Sequence, residues 1–382
     1  MSVVEFLKET GQSGGKSVLL RSFAEIISER RSVDLEKLAH QSASVTRQHF
    51  GRTMRMFAPI YLSNECINNC SYCGFSRDNP ILRTSLTVEQ VRTEARHLFR
   101  EGFRNLLLVA GEHPRFVSEG YLEDCLASLR QTIPGIALEV GPMEESEYAR
   151  MVQAGCEGLV VYQETYHRDT YGELHTAGPK KDFDWRLRCP ERGYAAGFRR
   201  IGIGALLGLA DWRSDALMLA AHLEYLYKTC WKSSFTISLP RLRPAAGGYH
   251  AKHLISDAEF VQLICAFRIC FPQVGIVLST REPASLRNSL FPLGITSISA
   301  GSHTEPGGYT GTGGNNLHLT VQGRRVELNE SISQNCATGQ FDIADERPAA
   351  EVAQYLKDIG LDPVWKDWDS AILSPIKTHS AM

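Results

Sequence analysis

Pro59-Ile60-Tyr61-Leu62-Ser63-Asn64-Glu65-Cys66-Ile67-Asn68-Asn69-Cys70-Ser71-Tyr72-Cys73-Gly74-Phe75 carries two signals that decide how the chain is read. Its first half continues an apolar run from Phe57, with the length and composition of a buried strand. Its second half places three cysteines within eight residues, separated by three and then two positions. A loop leaving a strand can turn three thiolates toward one compact object, and soft thiolates select zinc, copper or iron–sulfur clusters. Iron–sulfur cubanes usually take four cysteines, so a set of three leaves one iron open to another ligand. A structural zinc site would need a fourth ligand from elsewhere, and no second cysteine pair supplies one.

Outward from this stretch the same kind of apolar run recurs. Phe57–Leu62 is followed by Asn105–Ala110, Ile136–Val140, Gly158–Gln163, Ile201–Leu206, Phe235–Leu239, Gly275–Ser279 and Ile295–Ser299. Amphipathic segments separate them. Thr87-Val88-Glu89-Gln90 and Ser256-Asp257-Ala258-Glu259 read as capping boxes that start two of these helices. Eight apolar strands alternating with helices predict an α/β fold with buried parallel strands. A closed (β/α)8 TIM-type barrel over residues 56–310 removes both sheet edges and fits the length. A doubly wound open sheet is the competing architecture, and in either case reactive residues belong where strands end. Residues 1–55 read as an N-terminal helical segment, with two helices over 16–50. Residues 311–382 read as a C-terminal loop and helical extension packed on the barrel. Within it, 311–340 is a Gly- and Asn-rich loop, Glu346 to Gly360 an amphipathic helix, and Pro363-Val364-Trp365-Lys366-Asp367-Trp368 an aromatic tail.

The bulk composition narrows the class. The chain has 382 residues, 43% of them hydrophobic, with 41 Lys and Arg against 43 Asp and Glu. A net charge of −2 gives no field that would gather nucleic acid or coat a membrane. The longest apolar runs, such as Ile201 to Ala210, are about half a bilayer span. Met1-Ser2-Val3-Val4-Glu5 does not open a signal peptide, so the expectation is a soluble cytoplasmic protein. Of the ten cysteines, those at 125, 156, 189, 230, 265, 270 and 336 are dispersed and read as small buried hydrophobes, not a disulfide framework.

Cys-x3-Cys-x2-Cys with an aromatic before the last cysteine resembles the signature of the radical S-adenosylmethionine (SAM) superfamily. The resemblance implies a [4Fe–4S] cluster on Cys66, Cys70 and Cys73, whose open iron the amino and carboxylate groups of SAM chelate. Tyr72, the aromatic before the last cysteine, goes with the cofactor. After the second strand, Ala110-Gly111-Glu112 stands where the superfamily has a Gly-Gly-Glu-like turn. Backbone groups of that turn, at Gly111 and Glu112, are then expected to bind the methionine amine. Glu164, where strand four turns polar, is a candidate acceptor for the SAM ribose hydroxyls or amine; the plainer reading is a solvated loop carboxylate. Gly204 lies in Gly202-Ile203-Gly204-Ala205-Leu206-Leu207-Gly208, which is no dinucleotide fingerprint. Backbone stacking against adenine and close strand packing both fit it. Arg281, at the end of strand seven, suits bidentate clamping of a substrate carboxylate; the plainer reading is an ion pair with Glu282. His303 reads as structural.

The likeness extends through Phe50-Gly51, Leu107-Leu108-Val109-Ala110-Gly111-Glu112-His113, Val161-Tyr162-Gln163-Glu164-Thr165-Tyr166-His167 and Phe183-Asp184-Trp185-Arg186-Leu187. It continues in Pro240-Arg241-Leu242-Arg243-Pro244, Leu278-Ser279-Thr280-Arg281-Glu282, Gln340-Phe341 and Pro363 to Asp369. Together these resemble the aromatic amino acid lyase branch, most closely the tyrosine lyases of thiamine thiazole biosynthesis. The resemblance implies cleavage of the Cα–Cβ bond of L-tyrosine to 2-iminoacetate (dehydroglycine) and p-cresol. It places Arg281 on the substrate carboxylate, with Tyr61 and Ser299 lining the pocket. It also implies a flavodoxin- or ferredoxin-type reductant and handover to a thiazole synthase subunit, with the tail around Trp365 and Trp368 as a candidate contact. Tryptophan lyases share the clamp but usually lack the Tyr-Cys-Gly-Phe ending at 72–75. Hydrogenase-maturation tyrosine lyases carry a second cysteine-ligated cluster, and after Cys270 only Cys336 remains here. A zinc-stabilised binding barrel is the non-enzyme alternative.

Overall fold

The computed structural model describes residues 3–13, 17–28, 32–117, 120–321, 324–326, 328 and 337–366; Cys336 and Trp368 lie outside them. All eight expected runs are strands. They are β1 (Thr53–Ser63), β2 (Asn105–Ala110), β3 (Gly135–Glu139), β4 (Gly158–Val160), β5 (Arg200–Gly204), β6 (Ser234–Ser238), β7 (Gly275–Leu278) and β8 (Ser297–Ser299). Each pairs in parallel with the next, and β8 returns to β1 through Arg55↔Ser297, Met56↔Ile298 and Phe57↔Ser299. The sheet is therefore a closed barrel and not an open doubly wound one.

The strands read as continuous apolar runs because both of their faces are buried. Along β1, Met54, Met56, Ala58, Ile60 and Leu62 are at most 1% exposed and share a core with helix residues such as Val91, Leu98 and Phe267. The alternate positions Arg55, Phe57, Pro59 and Tyr61 line the lumen. At the amino end of the barrel, Arg55 donates to Asn105 Oδ1 (2.9 Å), while Glu157 pairs with Arg55 (3.7 Å) and Arg200 (2.5 Å). This charged floor leaves the opposite rim for chemistry.

Both capping boxes form, Thr87 with Gln90 and Ser256 with Glu259, at the starts of helices Val88–Arg100 and Asp257–Cys270. The two N-terminal helices are Val18–Ile27 and Ser32–Phe50, and a third precedes them at Val3–Ser13, burying Val3 and Leu7 one turn apart. They pack on the outer faces of helices Trp212–Thr229 and Asp257–Cys270. No helix among the described residues is long and apolar enough to cross a membrane. Cys125, Cys156, Cys189, Cys230 and Cys265 are buried free thiols, as their apolar surroundings suggested, and Cys270 is half-buried.

Two expectations for the C-terminal region need correction. Part of 311–340 is not loop: His318–Val321 pairs antiparallel with Ile81–Arg83 on one side and Arg324–Val326 on the other. Four residues are too few to signal a strand, and one of its two partners lies more than 200 positions away. The aromatic tail also begins as a strand, with Asp362–Val364 parallel to Thr53–Arg55 of β1 and Trp365 edge-on to Phe103. Proline at 363 is tolerated because the strand lies at an edge. The helix of this region spans Ala349–Asp358.

The C-terminal region is tied to the rim by charge. Arg287, completely buried, donates to Asp345 and to the Ser299 carbonyl (2.5 Å), and Arg347 holds the same carboxylate (2.7 and 2.8 Å). Burial would raise the Asp345 carboxyl, but Arg347 and Arg287 outweigh it and hold it below the ordinary range. Its contribution is therefore complete above the unfolded-state value and disappears as the pH falls through the folded value. Asp345→Ala strands a buried guanidinium, at a cost of about 3–5 kcal/mol. Thermal unfolding at neutral pH should show a midpoint several degrees lower, and the difference from the parent should shrink toward strongly acidic pH.

Candidate active site at the carboxyl rim

The cysteine loop leaves β1 and is pinned from three sides. Asn69 and Cys70 pair antiparallel with the strand His175–Ala177. The Ile67 N–H donates to the Glu112 carbonyl (2.8 Å), and the Gly111 N–H donates to the Ser63 carbonyl (2.9 Å). A Cβ on Gly111 would collide with the Glu65 carbonyl, so the loop can approach only a glycine. The Glu112 carboxylate accepts from Asn68 Nδ2 (2.7 Å). These bonds commit the Gly111 N–H and the Glu112 carbonyl to holding the loop, leaving the expected amine contact to other atoms of the turn.

Cys70 is buried, and Cys66 and Cys73 are half-buried. Burial pushes the Cys70 and Cys73 thiols up, with Lys180 opposing it. Amide donors approach the sulfurs: Asn68 Nδ2 lies 3.7 Å from Cys66 Sγ, and Gln340 Nε2 lies 3.8 Å from Cys73 Sγ. Among the described residues no three His, Cys, Asp or Glu side chains gather around one point as ligands of a single ion would. Three cysteines on one loop, with amide donors at two sulfurs and a lysine nearby, fit an iron–sulfur cluster, whose potential such hydrogen bonds tune.

Beside the loop lies a cavity lined by Tyr72, Cys73, Glu164, Lys180, Leu206 and Leu242, among others. The Tyr72 hydroxyl donates to His175 Nε2 (2.9 Å), and His175 Nδ1 donates to the Tyr171 carbonyl (2.7 Å). Burial and then Lys180 push His175 down to about 3, so it stays neutral. Glu164 adopts φ +71°, a left-handed backbone unusual for a residue with a side chain. Its carbonyl accepts from the Leu206 N–H (2.7 Å), and its carboxylate meets Lys180 Nζ (2.7 Å) and Arg186 Nη2 (3.4 Å). Burial would raise that carboxyl, but Lys180 and Arg186 hold it below its usual range. Glu164 is thus a fixed, paired anion in the cavity wall and not a solvated loop carboxylate. Gly204 lies under Tyr162 and against the Ser238 carbonyl, where a Cβ would collide, so close strand packing accounts for this glycine.

This cavity opens into the lumen. The lumen cavity, about 570 Å³ of empty space with its mouth, is lined by Tyr61, Glu139, Tyr162, Arg281, Ser299 and Phe341, among others. The Tyr61 hydroxyl donates to Gln340 Oε1 (2.9 Å), and Phe75 meets its ring edge-on. The Ser299 hydroxyl accepts from the Thr280 N–H (3.2 Å). The Arg281 guanidinium stacks 3.3 Å from the centre of the Phe341 ring. It does not pair with Glu282, whose carboxylate is occupied by Arg241 and Arg243. Tyr61, Arg281 and Ser299 thus meet in one chamber, while Tyr72 and Glu164 line the adjoining one. His303 lies outside both, paired with Glu305 (2.9 Å) on a surface cleft.

Sequence reading gave no role to Glu139, Tyr162, Lys180, Gln340 or Phe341. Tyr162, Gln340 and Phe341 sit in quoted motifs, and Lys180 carried no signal at all. Glu139 carried one, as a lone charge inside the apolar run Ile136-Ala137-Leu138-Glu139-Val140.

The comparisons agree with this geometry. Residues 60–219 match the radical SAM superfamily, and residues 238–362 match the biotin and thiamin synthesis associated domain. The chain is 42% identical to the 2-iminoacetate synthase of Escherichia coli, over 90% of this chain and 86% of that protein. It is 41% identical to the 2-iminoacetate synthase of Salmonella typhimurium, over 88% and 84%. The [FeFe]-hydrogenase maturase HydG of Carboxydothermus hydrogenoformans has a similar structure, with TM-score 0.78 and 32% identity, over 96% of this chain and 80% of that one. The chain belongs to the 2-iminoacetate synthase family of radical SAM enzymes.

Proposed function

We propose that this protein is a radical SAM lyase that cleaves the Cα–Cβ bond of L-tyrosine to give 2-iminoacetate and p-cresol for thiamine thiazole synthesis. The observation that carries this reading is the Arg281 guanidinium. It is half-buried at the junction of the two cavities, backed by Phe341, with no carboxylate in ion-pair range among the described residues. Burial, the largest influence, lowers its affinity for the proton, so the site gains from an incoming anion. A planar fork suits an amino acid carboxylate, and 2-iminoacetate retains that carboxylate.

Cys66, Cys70 and Cys73 hold the [4Fe–4S] cluster in this reading, and the chamber of Tyr72 and Glu164 takes SAM. Lys180 and Arg186 are then already spent on Glu164, which is left rigid for hydrogen bonding. When bound, the cluster and SAM supply an adenosyl carbon radical. Arg281 fixes the substrate backbone, Tyr61 and Ser299 shape the wall, and the closed barrel keeps water from the reacting atoms. Because 2-iminoacetate hydrolyses readily, its consumer is a thiazole synthase subunit that accepts it directly. Trp365 packs edge-on against Phe103 and stays half-buried, which supports a packing role for this part of the tail.

The electron donor is of flavodoxin or ferredoxin type. Supporting a docking place for it, Arg77, Arg115 and Arg325 line a surface cleft that reaches Cys66. An acidic donor would be steered there, an effect that commonly amounts to about 10- to 1,000-fold in rate at low salt. In the R115E/R325E double variant, cluster reduction by a flavodoxin should slow at least about tenfold. Reduction by dithionite should be unchanged; equal slowing by both reagents would remove the docking assignment.

Replacing Arg281 by Met should lower kcat/KM for tyrosine by about 30-fold or more, the loss expected for one partner of a buried charge pair. Iron and sulfide content should stay at the parental level. The decisive assay is anaerobic turnover of the reconstituted protein with SAM, dithionite and either L-tyrosine or L-tryptophan. Tyrosine should yield 5′-deoxyadenosine, p-cresol and glyoxylate, the hydrolysis product of 2-iminoacetate. SAM cleavage driven by tryptophan alone would assign the chain to the tryptophan lyases, and a protein containing zinc without sulfide would not be a lyase.

A further inference from the structure

Three carboxylates stand near the two chambers, and they differ in how their charge is met. Glu282 is held by Arg241 and Arg243, and Glu164 by Lys180 and Arg186. Glu139 is held by neither an ion pair nor a hydrogen bond among the described residues. It is the last residue of β3, paired in register with Val109 of β2, and it faces both chambers. Arg281 faces the same two chambers from the end of β7, also without an ion-pair partner among the described residues. The lumen therefore presents one unpaired anion and one unpaired cation that do not neutralise each other. That is the complement of a zwitterion.

The proposed chemistry needs more than binding. A free amino acid arrives as an ammonium, which has no lone pair to stabilise an adjacent unpaired electron. In the lyase reading the hydrogen atom is taken from the substrate amino group, as in the lyases this chain resembles, and that is far easier once one proton has gone. We propose that Glu139 binds the substrate ammonium opposite the Arg281–carboxylate contact and accepts one of its protons, presenting a neutral amine to the hydrogen-abstracting radical. The step is –NH3⁺ + –COO⁻ → –NH2 + –COOH. The N–H bond breaks heterolytically, its electron pair stays on nitrogen, the proton rests on Glu139, and no oxidant or reductant is involved. This inference rests on the lyase reading above.

The surroundings suit an acceptor of this kind. Burial, followed by the neighbouring Glu164, raises the Glu139 carboxyl to about 7, while Arg281, Arg186 and Lys180 pull the other way. Tyr61 and Tyr162 also face it, and burial keeps both phenols protonated. Raised to about 7, the carboxylate lies much closer to the α-ammonium of a free amino acid than an ordinary carboxylate does, so the transfer costs correspondingly less. At pH well below 7 Glu139 already carries a proton and can take no other.

The test uses the reconstituted holoenzyme and its E139Q and E139D variants, with two ligands. L-Tyrosine carries both charges, whereas 3-(4-hydroxyphenyl)propanoate lacks the amine. E139Q should weaken tyrosine binding by about tenfold or more while leaving the desamino acid within about twofold, since only the first ligand uses the carboxylate. Tyrosine-dependent 5′-deoxyadenosine formation should fall about 100- to 10,000-fold in E139Q, and E139D should recover part of it. The parental rate should decline on the acidic side of pH 7, and that limb should be missing from the residual E139Q activity. Iron and sulfide content reports that each variant is folded. Equal loss of affinity for both ligands, or tyrosine turnover by E139Q at the parental rate, would overturn the assignment. If the parent itself neither binds nor cleaves tyrosine, the lyase reading fails first.

Discussion

The return of β8 onto β1 is the pairing on which the rest depends. Three pairs, from Arg55↔Ser297 to Phe57↔Ser299, convert an eight-strand sheet into a ring. In a ring of parallel strands every carboxyl end meets at one rim. Tyr61, Glu139, Arg281 and Ser299, spread over 239 positions of sequence, then face a single chamber. β1 is also where the cysteine loop begins and where the strand Asp362–Val364 attaches, so one element carries the closure, the loop and the C-terminal anchor.

Around that rim, charge separates residues that build from residues that wait for a ligand. Glu282, Glu164 and Asp345 each meet two cationic side chains, and these pairs fix loops. A buried ion pair is a poor source of net stability, but breaking one is costly, so such pairs hold geometry once formed. Arg281 and Glu139 are half-buried on the chamber walls without that compensation among the described residues. The folded chain alone tolerates them at a cost, which an amino acid bearing both opposite charges would relieve.

The C-terminal region is part of the site and not an appendage to it. Gln340 touches the Tyr61 hydroxyl with one end of its amide and approaches Cys73 Sγ with the other, linking the lumen wall to the cysteine loop. Phe341 supplies the face on which Arg281 lies. His318, at the start of the strand His318–Val321, pairs with Glu65 (2.6 Å), the residue before the first cysteine of the cluster loop. Residues beyond the barrel thus brace the loop from one side while β1 holds it from the other.

The strands, two capped helix starts and the reactive loop are legible in the order of residues alone, because each is encoded locally. Apolar runs mark strands buried on both faces, a hydroxyl three residues before Glu or Gln marks a helix start, and Cys-x3-Cys-x2-Cys fixes its own spacing. Arg281 was legible as a clamp because a strand end in a neutral rim is informative, but whether Glu282 neutralised it was not. That depended on Arg241 and Arg243, about 40 positions away. That Gly204 packs closely on a neighbouring strand, that His318–Val321 is a strand, and that Glu139 has no ion-pair partner among the described residues emerges once the chain is folded. Each of these outcomes is set by a neighbour distant in sequence. Electrostatic compensation and backbone contact are properties of distances in space, and one strand's residues do not state what stands opposite them.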